Sequence, residues 1–138
     1  MKKVLLSFIL LGSLFFGSPL NAAGLHWEQD LQAAFDKASA TKQPLMVMVE
    51  STHCRWCKKM IHQTLENDGI SQRLNNFVLV KVDKEGDEAR FELPEVKYVP
   101  TIFFMTPKKK IVQRVTGYFN VQDFNSWIDD AEKALKKR

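Results

Sequence analysis

The sequence predicts a single α/β domain in which helices cover both faces of a mixed central sheet of about four strands. Two observations lead to this prediction. Apolar segments of strand length alternate with segments whose apolar residues recur at helical spacing. In addition, residues 45–49 are apolar at every position, which is typical of a central strand that is covered on both sides.

The first half of the domain contains two predicted helices and two predicted strands. Trp27 to Ser39 is predicted as an amphipathic helix, and the strand 45–49 follows it. A helix is predicted after the cysteine pair, with a stop signal at 67–69, where the sequence reads Asn-Asp-Gly. Residues 77–83 are rich in β-branched side chains and predict a second buried strand.

The second half predicts a short helix, a β-hairpin and a closing helix. The short helix lies between Glu85 and Leu93, and the hairpin joins strands 101–105 and 111–115. Residues 121–135 carry apolar side chains at helical spacing and form the closing helix. Strands that are separated by helices should pair in parallel, and the hairpin should add an antiparallel edge.

Cys54 and Cys57 stand where the first long strand passes into a helix. Unpaired amide groups and the positive end of the helix dipole stabilise a thiolate at such a junction, so the pKa of Cys54 should lie below the free value of about 8.5. Four nearby side chains that carry or can acquire positive charge act in the same direction: His53, Arg55, Lys58 and Lys59. Cys54 is therefore the predicted nucleophile.

The two-residue gap lets Cys57 approach Cys54 closely enough for a disulfide. Cys57 can then resolve a mixed disulfide between Cys54 and a substrate, in a two-step exchange that needs no cofactor. These are the only two cysteines, and a disulfide that closes so short a loop adds little stability. A redox pair is thus a better interpretation than a structural cross-link.

These residues resemble the thioredoxin superfamily over nearly the whole domain. The resemblance is carried by the Cys54-Arg55-Trp56-Cys57 motif near a βαβ pattern, by the Val96-to-Thr101 segment, which ends in Val-Pro-Thr, and by Gly117 after the last strand. It implies a cis Val99–Pro100 bond that packs against the disulfide, with the Val99 backbone offered to a substrate. The residues it implies for substrate binding are Val99, Pro100 and Thr101. Arg55 and Trp56 lie between the cysteines and should be exposed in this fold, which favours a surface that contacts substrate.

The sequence also departs from the family pattern. Met48 stands where the family has a buried acidic residue, and Glu50 follows two positions later. Glu50 is either a proton acceptor for Cys57 or a solvated residue at the strand end, and His53 either tunes Cys54 or is an exposed loop residue. The string from Glu50 to Met60 is more similar to exported bacterial thioredoxin-like proteins, including those associated with thiosulfate oxidation, than to cytosolic thioredoxin.

Residues 1–22 have the order of a secretory signal peptide: two lysines, an apolar core and small residues at the exit. Cleavage is expected after Ala22, with Ala23 as the second choice and an uncleaved anchor as the alternative. Residues 23–138 then form the thioredoxin-like domain, and the expected location is the periplasm. Removal of the peptide lowers the formal charge from +4 to +2, and the remaining basic residues are not interleaved with aromatics, so nucleic-acid binding is not expected.

Two functions from other classes compete with redox chemistry. A metal site is one, because His53, Cys54, Cys57 and His62 lie within ten residues, although His62 is too far along the helix to converge with Cys54. A thioredoxin-fold adaptor with incidental cysteines is the other. Neither has a second supporting motif, so no metal ligand is assigned.

The expected activity is reduction of disulfides in partner proteins by a monomeric enzyme. No dimerisation domain of an isomerase and no helical insertion of a strong oxidant is visible in the sequence, although an oxidant or isomerase of the same fold stays open. The resemblance implies a membrane thiol-electron transporter as the electron donor. Expected clients are cytochrome-maturation proteins, sulfur-carrier proteins or misoxidised thiols in general.

Overall fold

The computed structural model describes residues 24–137, which form a mixed five-stranded sheet with helices on both faces. The elements in chain order are β1 (Trp27–Glu28), α1 (Leu31–Thr41), β2 (Leu45–Glu50), α2 (Arg55–Lys59), a π-helical segment (Met60–Leu65) that continues α2, α3 (Asp68–Leu74), β3 (Val78–Asp83), α4 (Asp87–Glu92), β4 (Thr101–Met105), β5 (Ile111–Thr116) and α5 (Val121–Lys136). The predicted fold class is confirmed, with one strand more than expected.

The strand order in the sheet is β1-β3-β2-β4-β5. β3 is parallel to both β1 and β2, whereas β4 is antiparallel to β2 and to β5. The predicted hairpin therefore lies at one edge, and β2 lies in the centre. Because β2 and β3 are parallel, their carboxyl ends meet at the same edge of the sheet, and the cysteines follow directly from this edge.

The two faces of β2 support two separate hydrophobic cores. Leu45, Val47 and Val49 pack with α1, whereas Met46 and Met48 point to the opposite face and share a core with Cys57. This alternation follows from the two-residue period of a strand. It explains why residues 45–49 are apolar at every position.

The predicted helix from Trp27 to Ser39 is wrong at its start. Trp27 pairs with Leu79 of β3 as part of a two-residue strand, and α1 begins only at Leu31. Asp30 is the N-cap, since its carboxylate accepts a hydrogen bond of 2.7 Å from the backbone N–H of Ala33. Trp27 of the preceding strand happens to fit the helical spacing of the apolar residues in α1.

The predicted helix stop at 67–69 coincides in the structure with the start of a further helix, α3. The π-helical segment ends at Leu65, but Asn67 then starts α3 by accepting hydrogen bonds from the N–H groups of Gly69 (3.1 Å) and Ile70 (3.3 Å). Asparagine is favoured both in turns and at the N-cap of a helix. Asn67 therefore marks the start of α3, two residues after the preceding segment ends.

Arg73 connects α3 to α5, two helices on the face of the sheet that carries the cysteines. Its guanidinium donates hydrogen bonds to Asp129 (2.7 Å) and Glu132 (2.9 Å). Partial burial acts to lower the pKa of Arg73, but these two acidic partners outweigh it, and the pKa is raised. The ion pairs of Arg73 thus link α3 to α5 near the protein surface.

The predicted signal peptide, with its cleavage position at Ala22 or Ala23, lies outside the described residues. Between residues 24 and 137, every helix is too short or too polar to cross a membrane.

Candidate active site

The two cysteines lie in the predicted positions and form a disulfide. Cys54 is the N-cap of α2, and Cys57 lies in the first turn, with 5.2 Å between their Cα atoms. The backbone N–H of Cys57 donates to the sulfur of Cys54 at 3.0 Å. Cys54 is partly exposed, whereas Cys57 is 1% exposed, so only one sulfur is accessible to a large partner.

A groove of about 850 Å³ opens beside the disulfide and is lined by both cysteines. Its floor includes Glu50 at the end of β2 and Lys81 and Asp83 at the end of β3. Glu50 and Asp83 are paired in the register of the two parallel strands. Glu50 is half-buried and lines this groove, and its role as proton acceptor for Cys57 stays a prediction.

Lys81 and Trp27 were not predicted as part of the site. The ammonium of Lys81 lies 5.3 Å from the centre of the Trp27 ring, which also lines the groove. Lys81 stands next to Met48 in the sheet, and Met48 is fully buried in the same core as Cys57. Met48, which the resemblance aligns with the family's buried acid, is thus part of an apolar core in this chain. The charged side chains of Glu50, Lys81 and Asp83 line the groove instead.

Arg55 and Trp56 are exposed between the cysteines, as predicted, and Trp56 keeps 46% of its surface. The Trp56 ring lies 5.7 Å from the ring of Tyr118. The ammonium of Lys59 lies 4.9 Å from the centre of the Trp56 ring and 4.5 Å from that of Tyr118. Cation–π attraction of this kind holds the lysine between the two rings.

Tyr118 belongs to the loop between β5 and α5, which is tied to the π-helical segment. Thr64 is fully buried, and its hydroxyl donates to the carbonyl of Phe119 at 2.6 Å. A π turn inserts an extra residue into a helix and is often found at functional sites. The sequence signal for Tyr118 was its position directly after Gly117, but nothing in the sequence places it against Trp56.

The Val99–Pro100 peptide bond is cis. Val99 is half-buried and packs against the core that contains Cys57 and adjoins Cys54. The carbonyl of Pro100 accepts a hydrogen bond of 2.8 Å from the N–H of Gly117, which fixes the loop to the end of β5. Pro100 itself is buried.

Thr101 requires a correction. Its side chain is fully buried, and its hydroxyl donates to the carbonyl of Tyr98 at 2.7 Å. Thr101 therefore shapes the loop from inside and does not present its side chain to a substrate. Tyr98, in the same loop, is 72% exposed and was not among the predicted substrate-binding residues.

Two histidines, His53 and His62, belong to the candidate metal set of the sequence, and His62 lines the larger groove together with both cysteines. His53 is exposed, and its effect on Cys54 stays a prediction. His62 lies 3.0 Å from Glu66 and is 67% exposed. Across residues 24–137, no cluster of three or more histidine, cysteine, aspartate or glutamate side chains is arranged to hold a metal ion.

A model of the thioredoxin-like domain matches residues 31–132, which is most of the chain and includes both cysteines. The chain belongs to the thioredoxin-like domain family. Within this family fold, a partly exposed Cys54 bonded to a buried Cys57 is the machinery of a thiol-disulfide oxidoreductase. The resemblance to thioredoxin that the sequence suggested is therefore confirmed at the level of the superfamily.

Solved structures with a similar fold include an oxidoreductase and a thioredoxin. The DsbH oxidoreductase superposes with a TM-score of 0.63 at 20% identity, covering 92% of this chain and 95% of that one. A thioredoxin from Thermus thermophilus gives a TM-score of 0.63 at 25% identity, with 79% of this chain and 85% of that one covered.

A curated relative matches by sequence over a shorter region. Spermatogenesis-associated protein 20 of Mus musculus is 37% identical over 73 residues, which is 52% of this chain and 8% of that protein. The thioredoxin-like chain thus spans only a small part of the length of this relative.

Proposed function

We propose that the protein is an exported thiol-disulfide oxidoreductase that reduces disulfides in partner proteins. The observation that carries the proposal is the unequal exposure of the two bonded sulfurs: Cys54 is accessible, and Cys57 is buried behind it. Thiol-disulfide exchange with a client needs this arrangement in either direction, because one thiol must meet the client and the other must be reserved for release.

The reaction has two exchange steps. In the reduced protein, the Cys54 thiolate attacks one sulfur of the client disulfide, which forms a Cys54–client bond and releases the other client sulfur as a thiolate. Cys57 then loses its proton and attacks the Cys54 sulfur, which forms the Cys54–Cys57 disulfide and releases the second client thiolate. Two electrons pass to the client, and its two thiolates take up two protons.

Glu50 is the proposed proton acceptor for Cys57. It is half-buried at the end of β2 and lines the groove together with both cysteines. A carboxylate in such a groove can take the proton of a buried thiol directly or through one water molecule. His53, which directly precedes Cys54 and is exposed, is proposed to add positive charge beside the attacking sulfur when it is protonated.

The proposed direction is reduction, with export to the periplasm. Within residues 24–137, no helical domain is inserted into the sheet fold, in contrast to the helical insertion typical of strong oxidants. Support for export is the signal-like pattern of residues 1–22. Electrons would then come from a membrane thiol-electron transporter, a dithiol donor that reduces the Cys54–Cys57 disulfide after each cycle.

A trapping experiment tests the proposal. A Cys57→Ser variant should accumulate a mixed disulfide with client proteins, because the step that releases the client is blocked. A matched Cys54→Ser variant should trap far less, since its remaining thiol is buried. Equal trapping by both variants, or none by either, would contradict the assigned roles.

A further inference from the structure

Three basic side chains near the disulfide have no acidic partner within the part of the chain that the structure describes. Arg55, Lys58 and Lys59 lie on the helix that begins at Cys54, and all are at least partly exposed. No ion pair among residues 24–137 includes any of the three. Unpaired charges beside a reactive sulfur are free to act on whatever approaches it.

The position of one of these charges is fixed by aromatic rings. Lys59 lies between Trp56 and Tyr118, with its ammonium 4.9 Å and 4.5 Å from the two ring centres. The guanidinium of Arg55 lies 5.6 Å from the centre of the Trp56 ring. Since a lysine loses considerable side-chain entropy when it is held in one place, a lysine that is already positioned binds an anion at a lower entropic cost.

These side chains border a second groove, of about 400 Å³, next to the half-exposed Trp56. Its lining consists of Arg55, Trp56, Lys58, Lys59, His62 and Gln63. No residue of this lining is acidic. Glu66 lies beside this lining, 3.0 Å from His62, and the larger groove, which shares Lys58 and His62, also contains the carboxylates of Glu50 and Asp83.

We propose that this basic groove is a specificity site for clients that carry aspartate or glutamate next to the disulfide to be reduced. The inference deepens the proposed function and rests on it. A client carboxylate would bind Lys59 and Arg55, while an adjacent apolar side chain covers the Trp56 ring. Like charges in the client would be repelled, so the groove selects against basic segments as well as for acidic ones.

Three disulfide-bridged peptides that differ only in the residues flanking one cysteine test this selectivity. The flanking residues are aspartate and glutamate in the first peptide, asparagine and glutamine in the second, and lysine in the third. The reduced protein should react with the acidic peptide about tenfold faster than with the lysine peptide at low ionic strength. At about 0.5 M salt the ratio should fall below about twofold, because the charges are screened.

Variants assign the selectivity to the groove. Lys59→Gln and Arg55→Gln should each reduce the acidic-to-basic rate ratio by about threefold. Lys108→Gln, in the exposed turn of the hairpin, is the matched control and should leave the ratio unchanged. The ratio is the informative quantity, because both peptides react with the same Cys54 and any change in its reactivity cancels.

An uncharged small disulfide, 2-hydroxyethyl disulfide, distinguishes failure of the groove proposal from failure of the reductase proposal. If the wild-type protein reduces it but reduces the acidic and basic peptides at equal rates, the groove proposal is overturned and the reductase proposal stands. If the protein reduces none of these disulfides, the reductase proposal itself fails. Faster reduction of the lysine peptide, or a ratio unchanged in Lys59→Gln and Arg55→Gln, also overturns the groove proposal.

Discussion

The backbone N–H of Cys57 donates a hydrogen bond of 3.0 Å to the sulfur of Cys54. The backbone of the buried cysteine therefore stabilises the sulfur of the accessible one. The two thiols of the reduced protein should therefore differ strongly in reactivity. Cys54 is partly exposed and receives this hydrogen bond, whereas the side chain of Cys57 is enclosed by the core that contains Met48 and Met60.

We expect iodoacetamide to alkylate Cys54 at least about tenfold faster than Cys57 in the reduced, folded protein at neutral pH. Mass spectrometry of time points identifies which cysteine is modified. Unfolding in denaturant is the control, because it should make the two rates similar. Preferential alkylation of Cys57 in the folded protein would reverse the assigned roles.

Replacement of Glu50 by glutamine should slow the resolving step, because glutamine keeps the shape of the side chain but does not accept the proton of Cys57. General-base contributions are typically about 100-fold or more, and a partly solvated groove that offers water as a substitute should give about tenfold. The measurement is the rate of release of a preformed Cys54–client mixed disulfide as a function of pH.

A Glu85→Gln variant serves as the control for Glu50→Gln, since Glu85 is exposed in the turn after β3. It should release the client at the wild-type rate. Wild-type release by Glu50→Gln across neutral pH would leave water as the proton acceptor and remove Glu50 from the mechanism.

Thr64→Val should destabilise the fold through the loop that carries Tyr118. The substitution removes the 2.6 Å hydrogen bond from the buried Thr64 hydroxyl to the Phe119 carbonyl and leaves that carbonyl without this donor in a partly buried setting. We expect the free energy of unfolding to fall by about 1–3 kcal/mol, as measured by urea denaturation. Thr64→Ser keeps the hydroxyl and should lose less, so an equal loss in both variants would argue for packing instead.

Asp30→Ala should weaken the start of α1. The Asp30 carboxylate accepts from the N–H of Ala33 at 2.7 Å, and loss of such an N-cap costs about 1 kcal/mol. Asp30→Asn keeps an acceptor oxygen and should retain most of the stability in the same urea titration. Because Asp30 does not line the groove beside the cysteines, disulfide reduction by both variants should proceed at the wild-type rate.

The sequence predicted those features that depend on local pattern. The apolar segment 45–49 identified the central strand, and the spacing of Cys54 and Cys57 after it placed the redox pair correctly. A local pattern also led to a wrong prediction, the start of the first helix at Trp27. The two-residue strand at Trp27 is held only by pairing with β3, and its spacing happened to match the helix that follows.

Contacts between distant segments were beyond the reach of the sequence. Tyr118 meets Trp56 only because the loop after β5 folds back onto the helix that begins at Cys54. The resemblance implied that Thr101 binds substrate, yet its buried side chain donates a hydrogen bond to the Tyr98 carbonyl. Both outcomes depend on how elements pack, which neither periodicity nor motif spacing encodes.

The reduction potential of the Cys54–Cys57 pair tests the central claim most directly. The protein is equilibrated in glutathione and dithiothreitol buffers, and the free thiols are trapped and counted at each ratio. A reversible two-electron couple at or below about −240 mV is the result that a reductase predicts. A couple above about −150 mV would instead indicate an oxidant, and the absence of any reversible couple would contradict thiol-disulfide exchange as the function.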